Sequence, residues 1–109
     1  MKNRDILEFA VTMGERMLAN GCGTHRIEGL INKILATCKF RNHEIFVTTT
    51  GIVITVESAE DGVMTVVKQV PKKMMHTEHI SLIEDIVNSF VQGELTAQQA
   101  LVELKNADS

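Results

Sequence analysis

Residues 44–56 read EIFVTTTGIVITV, and this stretch decides the fold class. The run Glu44–Thr49 is rich in β-branched residues and alternates in polarity, and a second β-branched run occupies residues 52–56. Thr50-Gly51 between the two runs indicates a turn or a bulge. Because alternation with a period of two is typical of half-buried strands, we predict two strands joined at Thr50-Gly51.

A third strand is predicted directly after the second one. Asp61-Gly62 is a dipeptide typical of hairpin turns, and residues 63–70 form another β-branched run. Pro71 ends this run, because proline has no N–H to donate to a neighbouring strand. The strand from Glu44 and the hairpin over residues 52–70 are therefore expected to form one small antiparallel sheet.

Helical patterns lie on both sides of the strands. Apolar residues recur every three or four positions over about Asp5–Ala19 and Thr24–Lys39, and Cys38 falls on the apolar face of the second of these segments. After the strands, a helix is predicted over 78–91, and Thr96 with Gln99 forms a capping box that opens a last helix. The order ααβββαα predicts an α+β fold, with the helices packed mainly on one face of the sheet.

Length and composition predict one soluble domain spanning residues 1–109. A chain of this size can bury a core of its own. The net charge of −3 and the lack of Trp and Tyr argue against nucleic acid as a partner. No apolar run approaches the roughly 18 to 20 residues that span a bilayer, and the charged first helix is unlike a secretory signal. We therefore expect a cytoplasmic location.

The junction between the first two helices, residues 20–28, reads NGCGTHRIE. Gly21 can end the first helix in a left-handed conformation, and Gly23 or Thr24 can begin the next one. Arg26 then lies in the first turn of a helix, where the helix dipole disfavours a cation. Arg26 and Glu28 fall on opposite borders of the apolar face, so each needs a partner on another element or faces solvent.

Thr48-Thr49-Thr50-Gly51 is a second candidate for a binding segment. Three hydroxyl groups before a glycine can line a small pocket, although threonine in strands and glycine in turns are also ordinary preferences. With Thr24, Arg26 and Glu28, these residues would bring polar groups from two junctions into one cleft. We predict such a shared polar recess.

Other residues with potential chemistry favour structural interpretations. An exposed thiol with a lowered pKa is one interpretation of Cys22, which stands between two glycines, but no His-Asn or His-Asp arrangement completes a nucleophilic site, so a structural role is favoured. His76 and His79 have a ligand spacing without an apparent third ligand, so we predict neither a metal nor a cofactor. Residues 72–75, Lys-Lys-Met-Met, are interpreted as a solvated connector, since two lysines are too few for a membrane-binding cluster.

Three blocks of the sequence carry a family resemblance. They are Leu18-x-Asn20-Gly21-x-x-Thr24-x-Arg26-Ile27-Glu28, then Phe46-Val47-Thr48-Thr49-Thr50-Gly51-Ile52, then Gly93-Glu94-Leu95-x-x-x-x-Ala100-x-x-x-Leu104. In this order and spacing, over about residues 5–107, the chain resembles the soluble N-terminal domain of the threonine/serine exporter (ThrE-like) family. The resemblance implies a membrane-spanning transporter domain or partner subunit, and export of threonine and serine or of small dicarboxylates.

The resemblance also implies particular site residues. Thr24, Arg26, Glu28, Thr49 and Thr50 are the suspected binding positions, and Gly21 and Gly51 are structural turn positions. The family commonly has Ala-Glu where this chain has Cys22-Gly23, and often an aromatic residue at His25, so no role is carried over to these. The function implied is a regulatory or solute-handling domain on the cytoplasmic side of the cell membrane, with Arg26 recognising a carboxylate.

Two alternatives come from other functional classes. One is a small hydrolase that uses Thr24, Thr49 or Cys22 as its nucleophile; because no residue pattern supplies a positioned base, a non-enzymatic domain is favoured. The other is an assembly module, in which a strand edge or the connector over residues 72–75 docks on a partner or forms a homo-oligomer.

Overall fold

A computed structural model of the protein describes residues 2–70 and 76–107, without the side chain of Lys2. Its helices and strands follow the predicted order ααβββαα, and the α+β class is confirmed. The elements are α1 (Lys2–Ala19), α2 (Thr24–Leu35), β1 (Asn42–Thr48), β2 (Gly51–Ser58), β3 (Gly62–Gln69), α3 (Glu78–Val91) and α4 (Ala97–Ala107).

The three strands form one antiparallel sheet in the order β1-β2-β3. Alternate residues of the central strand β2 are buried, namely Ile52, Ile54, Val56 and Ser58, and the residues between them are half-buried. Because successive side chains of a strand point to opposite faces, one face of β2 lies in the core and the other points away from it. This confirms the predicted sheet.

Helix α1 lies at the centre of the core. Its residues Phe9, Met13 and Met17 are completely buried, and the ring of Phe9 packs 5.0 Å from that of Phe90 in α3. Where α1 meets the sheet, it carries Gly14. A Cβ atom at this position would lie 2.8 Å from the Cδ1 atom of Ile52, so the glycine allows the helix to approach the sheet closely.

Helix α2 ends at Leu35, so the prediction that it extends to about Lys39 is wrong. The hydroxyl of Thr37 donates a 2.7 Å hydrogen bond to the carbonyl of Ile34, and the Thr37 and Cys38 amides bond three residues back. These contacts satisfy the last carbonyls of the helix and tighten its end. Cys38 therefore follows the helix, half-buried, and does not lie on its apolar face.

Other boundaries shift by a few residues. Helix α1 begins at Lys2 rather than Asp5, and β1 ends at Thr48, so Thr49 belongs to the following turn. The predicted capping box is present: the Thr96 amide donates to Gln99 Oε1 at 2.9 Å, and the Gln99 amide donates to Thr96 Oγ1 at 3.1 Å.

Within residues 2–70 and 76–107, no helix combines the length and apolar character needed to cross a membrane. The connector over residues 72–75, which the sequence suggests as a solvated loop, lies outside the described residues.

Candidate functional site

The α1–α2 junction is a tightly bonded helix end. The amide of Cys22 donates to the carbonyl of Met17 at 3.0 Å, and that of Gly21 donates to Leu18 at 3.1 Å. Gly21 has φ 88°, the left-handed conformation that this pair of bonds requires and that glycine adopts without a steric cost. The junction is therefore fixed by its own backbone, and it turns the next residue, Cys22, back into the core.

Asn20 links this junction by a hydrogen bond to His76, which follows the connector over residues 72–75. Its side chain is only 2% exposed, and its Nδ2 donates to the carbonyl of Arg16 at 2.8 Å. Its Oδ1 accepts a 3.1 Å bond from the amide of His76. A buried amide with partners on both of its polar atoms holds two segments in register. Sequence reasoning did not assign this role to Asn20, because the partner lies 56 positions away.

Arg26 has its partner on another helix. Its Nε donates to Oε2 of Glu84 in α3 at 2.8 Å, and its Nη2 lies 2.5 Å from Oε1 of the same carboxylate. This is the two-pronged arrangement that suits the planar guanidinium group. The hydrogen bond that Arg26 donates to Glu84, and then the negative charge of Glu84, raise the pKa of Arg26 further above its ordinary value. The ion pair with Glu84 of α3 thus offsets the unfavourable interaction between Arg26 and the dipole of α2.

Cys22 lies beside this ion pair, and its position agrees with the structural interpretation favoured from the sequence and not with an exposed thiol of lowered pKa. The residue is 7% exposed and belongs to the core. Burial raises the pKa of the thiol; the nearby Arg26 charge lowers it, and the Glu84 charge raises it again. A neutral, buried thiol is a poor nucleophile, so Cys22 is not suited to be the nucleophile of the hydrolase alternative.

Thr24 and Glu28 occupy the start of α2 with different exposure and partners. The residue that begins the helix is Gly23, in an extended conformation and without a side-chain cap, and Thr24 is half-buried. Oε1 of Glu28 lies 3.9 Å from Nδ1 of the fully exposed His25, too far for a hydrogen bond. The Glu28 carboxylate therefore borders solvent at the first turns of the helix.

The threonine segment forms the turn between β1 and β2. The hydroxyl of Thr48 donates to the carbonyl of Gly51 at 3.3 Å and accepts the amide of Thr50 at the same distance. Thr49 and Thr50 are exposed. At Gly51, a Cβ atom would meet the carbonyl oxygen of Lys68 at 3.1 Å, so a close approach of β3 accounts for this glycine.

Two contacts relate α2 to the sheet. Near its C-terminal end, Oδ1 of Asn32 lies 2.8 Å from Nε2 of His43, at the start of β1. In the middle of the helix, the side chains of Ile27 and Ile31 border Gly14, as does that of Ile52, which is paired with Val47 at the end of β1. Helix α2 therefore packs against β1 and the start of β2, and a first turn level with the threonine turn stays a prediction.

The candidate residues divide between the two flanks of α2. Glu28 is four residues from both Thr24 and Asn32, so these three residues lie along one flank of α2, the flank on which Asn32 contacts His43 of β1. Arg26 lies on the other flank, against α3. The contacts thus place Arg26 beside Glu84 and leave Thr24 and Glu28 on the other flank of α2. A recess shared by all five residues stays a prediction.

The two histidines after the connector interact with each other. The rings of His76 and His79 lie 5.2 Å apart, and Nδ1 of His76 lies 3.8 Å from Oε1 of Glu78. In the part of the chain that the structure covers, no three or more His, Cys, Asp or Glu side chains are grouped so that they could hold a metal ion.

The fold is a small α+β domain, and Arg26, just after the α1–α2 junction, pairs with Glu84 of α3. A family model, ThrE, described as "Putative threonine/serine exporter", matches residues 8–109 of the sequence. The chain belongs to this family, which confirms the resemblance seen in the sequence. No curated protein and no solved structure matches the chain.

Proposed function

We propose that this domain is the solute-handling part of a threonine/serine export system and acts with a membrane-spanning transporter domain or subunit. The observation that carries the proposal is the family match, which covers residues 8–109. The domain would face the cytoplasm, where it meets the solute before export. Its role would be to hold or sense the solute and so regulate the membrane part.

The candidate residues have the chemistry that an amino acid needs. A free amino acid carries a carboxylate and an ammonium group, and threonine and serine add a hydroxyl. Arg26 offers two parallel N–H groups to a carboxylate, and Glu28 offers an acceptor to an ammonium group. The hydroxyl groups of Thr24, Thr49 and Thr50 can bond the remaining polar atoms. A dicarboxylate would use Arg26 but would meet repulsion at Glu28.

Glu84 occupies the carboxylate-binding fork of Arg26 in the structure. In our proposal the solute carboxylate replaces Glu84, so the internal carboxylate competes with the solute. The pair is reachable from solvent, since the side chains of Arg26 and Glu84 are 53% and 27% exposed. A partly exposed ion pair is a modest obstacle, because solvent screens both charges before and after the exchange.

Calorimetric titration of the chain with threonine, serine and succinate tests this proposal. We expect binding of threonine and serine to weaken at least about tenfold, or 1.4 kcal/mol, in Arg26→Ala. Glu84→Gln should bind more tightly than wild type, because an amide competes less well for a guanidinium group. The matched control is His25→Ala, which removes the exposed neighbour of Arg26 and should leave binding unchanged. No heat at millimolar ligand, or equal binding in Arg26→Ala, would remove the solute-holding role.

A further inference from the structure

The sheet has a second face, which points away from the core, and we call it the outer face. It is defined by alternate residues of the three strands: Asn42, Glu44, Phe46 and Thr48; Gly51, Val53, Thr55 and Glu57; Val63, Thr65, Val67 and Gln69. The buried residues of β2 alternate with these, so the outer face lies on the side of the sheet opposite to the core.

An apolar row crosses the outer face. The strand register aligns Phe46 with Val53 and Val53 with Val67, one residue from each strand. Phe46 is 65% exposed and Val67 is 63% exposed, and Val63 of the same face is 67% exposed. Single exposed apolar residues are normal on a protein surface, but a row aligned across a whole sheet forms a contiguous patch of the kind that marks an interaction site.

An acidic groove lies beside this row. Glu44 is opposite Thr55, and Glu57 lies two residues farther along β2, which puts the two carboxylates on neighbouring strands and on one face. A groove of about 220 Å³ is lined by Asn42, His43, Glu44, Thr55, Glu57 and Val63. A cation placed in this groove would relieve the repulsion between the two carboxylates.

The charges of the outer face argue against a second copy of the chain as its partner. Of its twelve positions, two are acidic and none is Lys or Arg. Two such faces brought together would bury carboxylates against one another without a compensating cation, and like charges at an interface are costly. A partner that covers the apolar row must supply apolar side chains, and to match the groove it must supply positive charge.

We propose that the outer face docks a polypeptide segment in which apolar residues adjoin lysine or arginine. The apolar side chains of the segment cover the row of Phe46, Val53 and Val67, and a basic side chain enters the groove between Glu44 and Glu57. The residues that carry this inference, in the apolar row and the acidic groove, are not among the candidate solute residues. The inference therefore goes beyond the proposed function, and either can fail without the other.

The test uses a short synthetic peptide of alternating leucine and lysine and a matched peptide of leucine and glutamate. Each is titrated into the ¹⁵N-labelled chain, and amide shifts and the Kd are measured. We expect the basic peptide to shift outer-face amides and the acidic peptide to leave them unchanged. Val67→Thr and Phe46→Ser, both at exposed positions, should each weaken binding at least about threefold, and together about tenfold.

Matched variants distinguish binding at the outer face from nonspecific binding to any exposed apolar or acidic side chain. Leu82→Ser removes an exposed apolar side chain from α3 and should leave the Kd unchanged. Glu44→Gln with Glu57→Gln should weaken binding and flatten its salt dependence, while Glu78→Gln, on α3, should do neither. The proposal is overturned if neither peptide binds, if both bind equally, or if Leu82→Ser weakens binding as much as Val67→Thr. A dimer in light scattering that Phe46→Ser dissociates would also overturn it, in favour of a second copy.

Discussion

At the scale of single residues, the α1–α2 junction determines the environment of the Cys22 thiol. The backbone bonds that end α1 turn this side chain into the core, where burial raises its pKa above the ordinary value of 9.0. In the unfolded chain the thiol ionises near that pH, whereas in the folded chain it keeps its proton to a higher pH. Above about pH 9 the unfolded state therefore binds fewer protons, and stability falls as pH rises toward the folded-state pKa.

We predict that Cys22→Ala reduces the loss of stability between neutral pH and about pH 10, because it removes this alkaline contribution. The measurement is the free energy of unfolding from urea titrations at both pH values, with Cys38→Ala as the control thiol variant. The substitution also leaves a small cavity, so only the pH dependence is compared. An unchanged pH dependence in Cys22→Ala would show that the thiol is not protected by folding.

At the scale of the helix, two glycines should respond in opposite ways to alanine. Gly21 ends α1 with φ 88°, and a Cβ atom in that conformation costs about 1–2 kcal/mol. Gly29 lies in the interior of α2, and a Cβ atom there would meet nothing within 4 Å. We predict that Gly21→Ala destabilises the chain by about that amount and that Gly29→Ala stabilises it by about 0.5–1 kcal/mol.

Thermal and urea unfolding of these two variants is the measurement, and each variant serves as the other's control. They differ in backbone conformation and not in the atoms added. A Gly21→Ala variant as stable as wild type would contradict the helix end described above. A destabilised Gly29→Ala variant would indicate that the surface of α2 around Gly29 is covered in solution.

The elements also show how far local patterns predict the structure. The strands and the helix over 78–91 are set by alternation, turn residues and apolar spacing, which the sequence displays directly. The end of α2 is decided by the Thr37 hydroxyl bonding to Ile34, a contact that competes with the apolar periodicity continuing to Cys38. The partner of Arg26 depends on how α2 packs against α3, so local spacing indicates that a partner is needed but not that it is Glu84.

At the scale of the whole molecule, the sheet separates two surfaces. The candidate solute residues lie in the first turns of α2 and in the turn between β1 and β2, and we predict that these two segments converge. The outer face, with its apolar row and acidic groove, lies on the opposite side from the helices. In our two proposals, a solute binds among the candidate residues of these segments and a polypeptide segment binds at the outer face.

The most direct test of the central claim is to map where threonine binds. Threonine is titrated into the ¹⁵N-labelled chain, and the amide shifts are followed in wild type and in Arg26→Ala. The account predicts saturable shifts at Thr24–Glu28 and Thr48–Gly51 together, and loss of both sets in Arg26→Ala. Saturable shifts confined to another surface, such as the groove between Asp5, Phe90 and Gln98, or an identical map in Arg26→Ala, would contradict it.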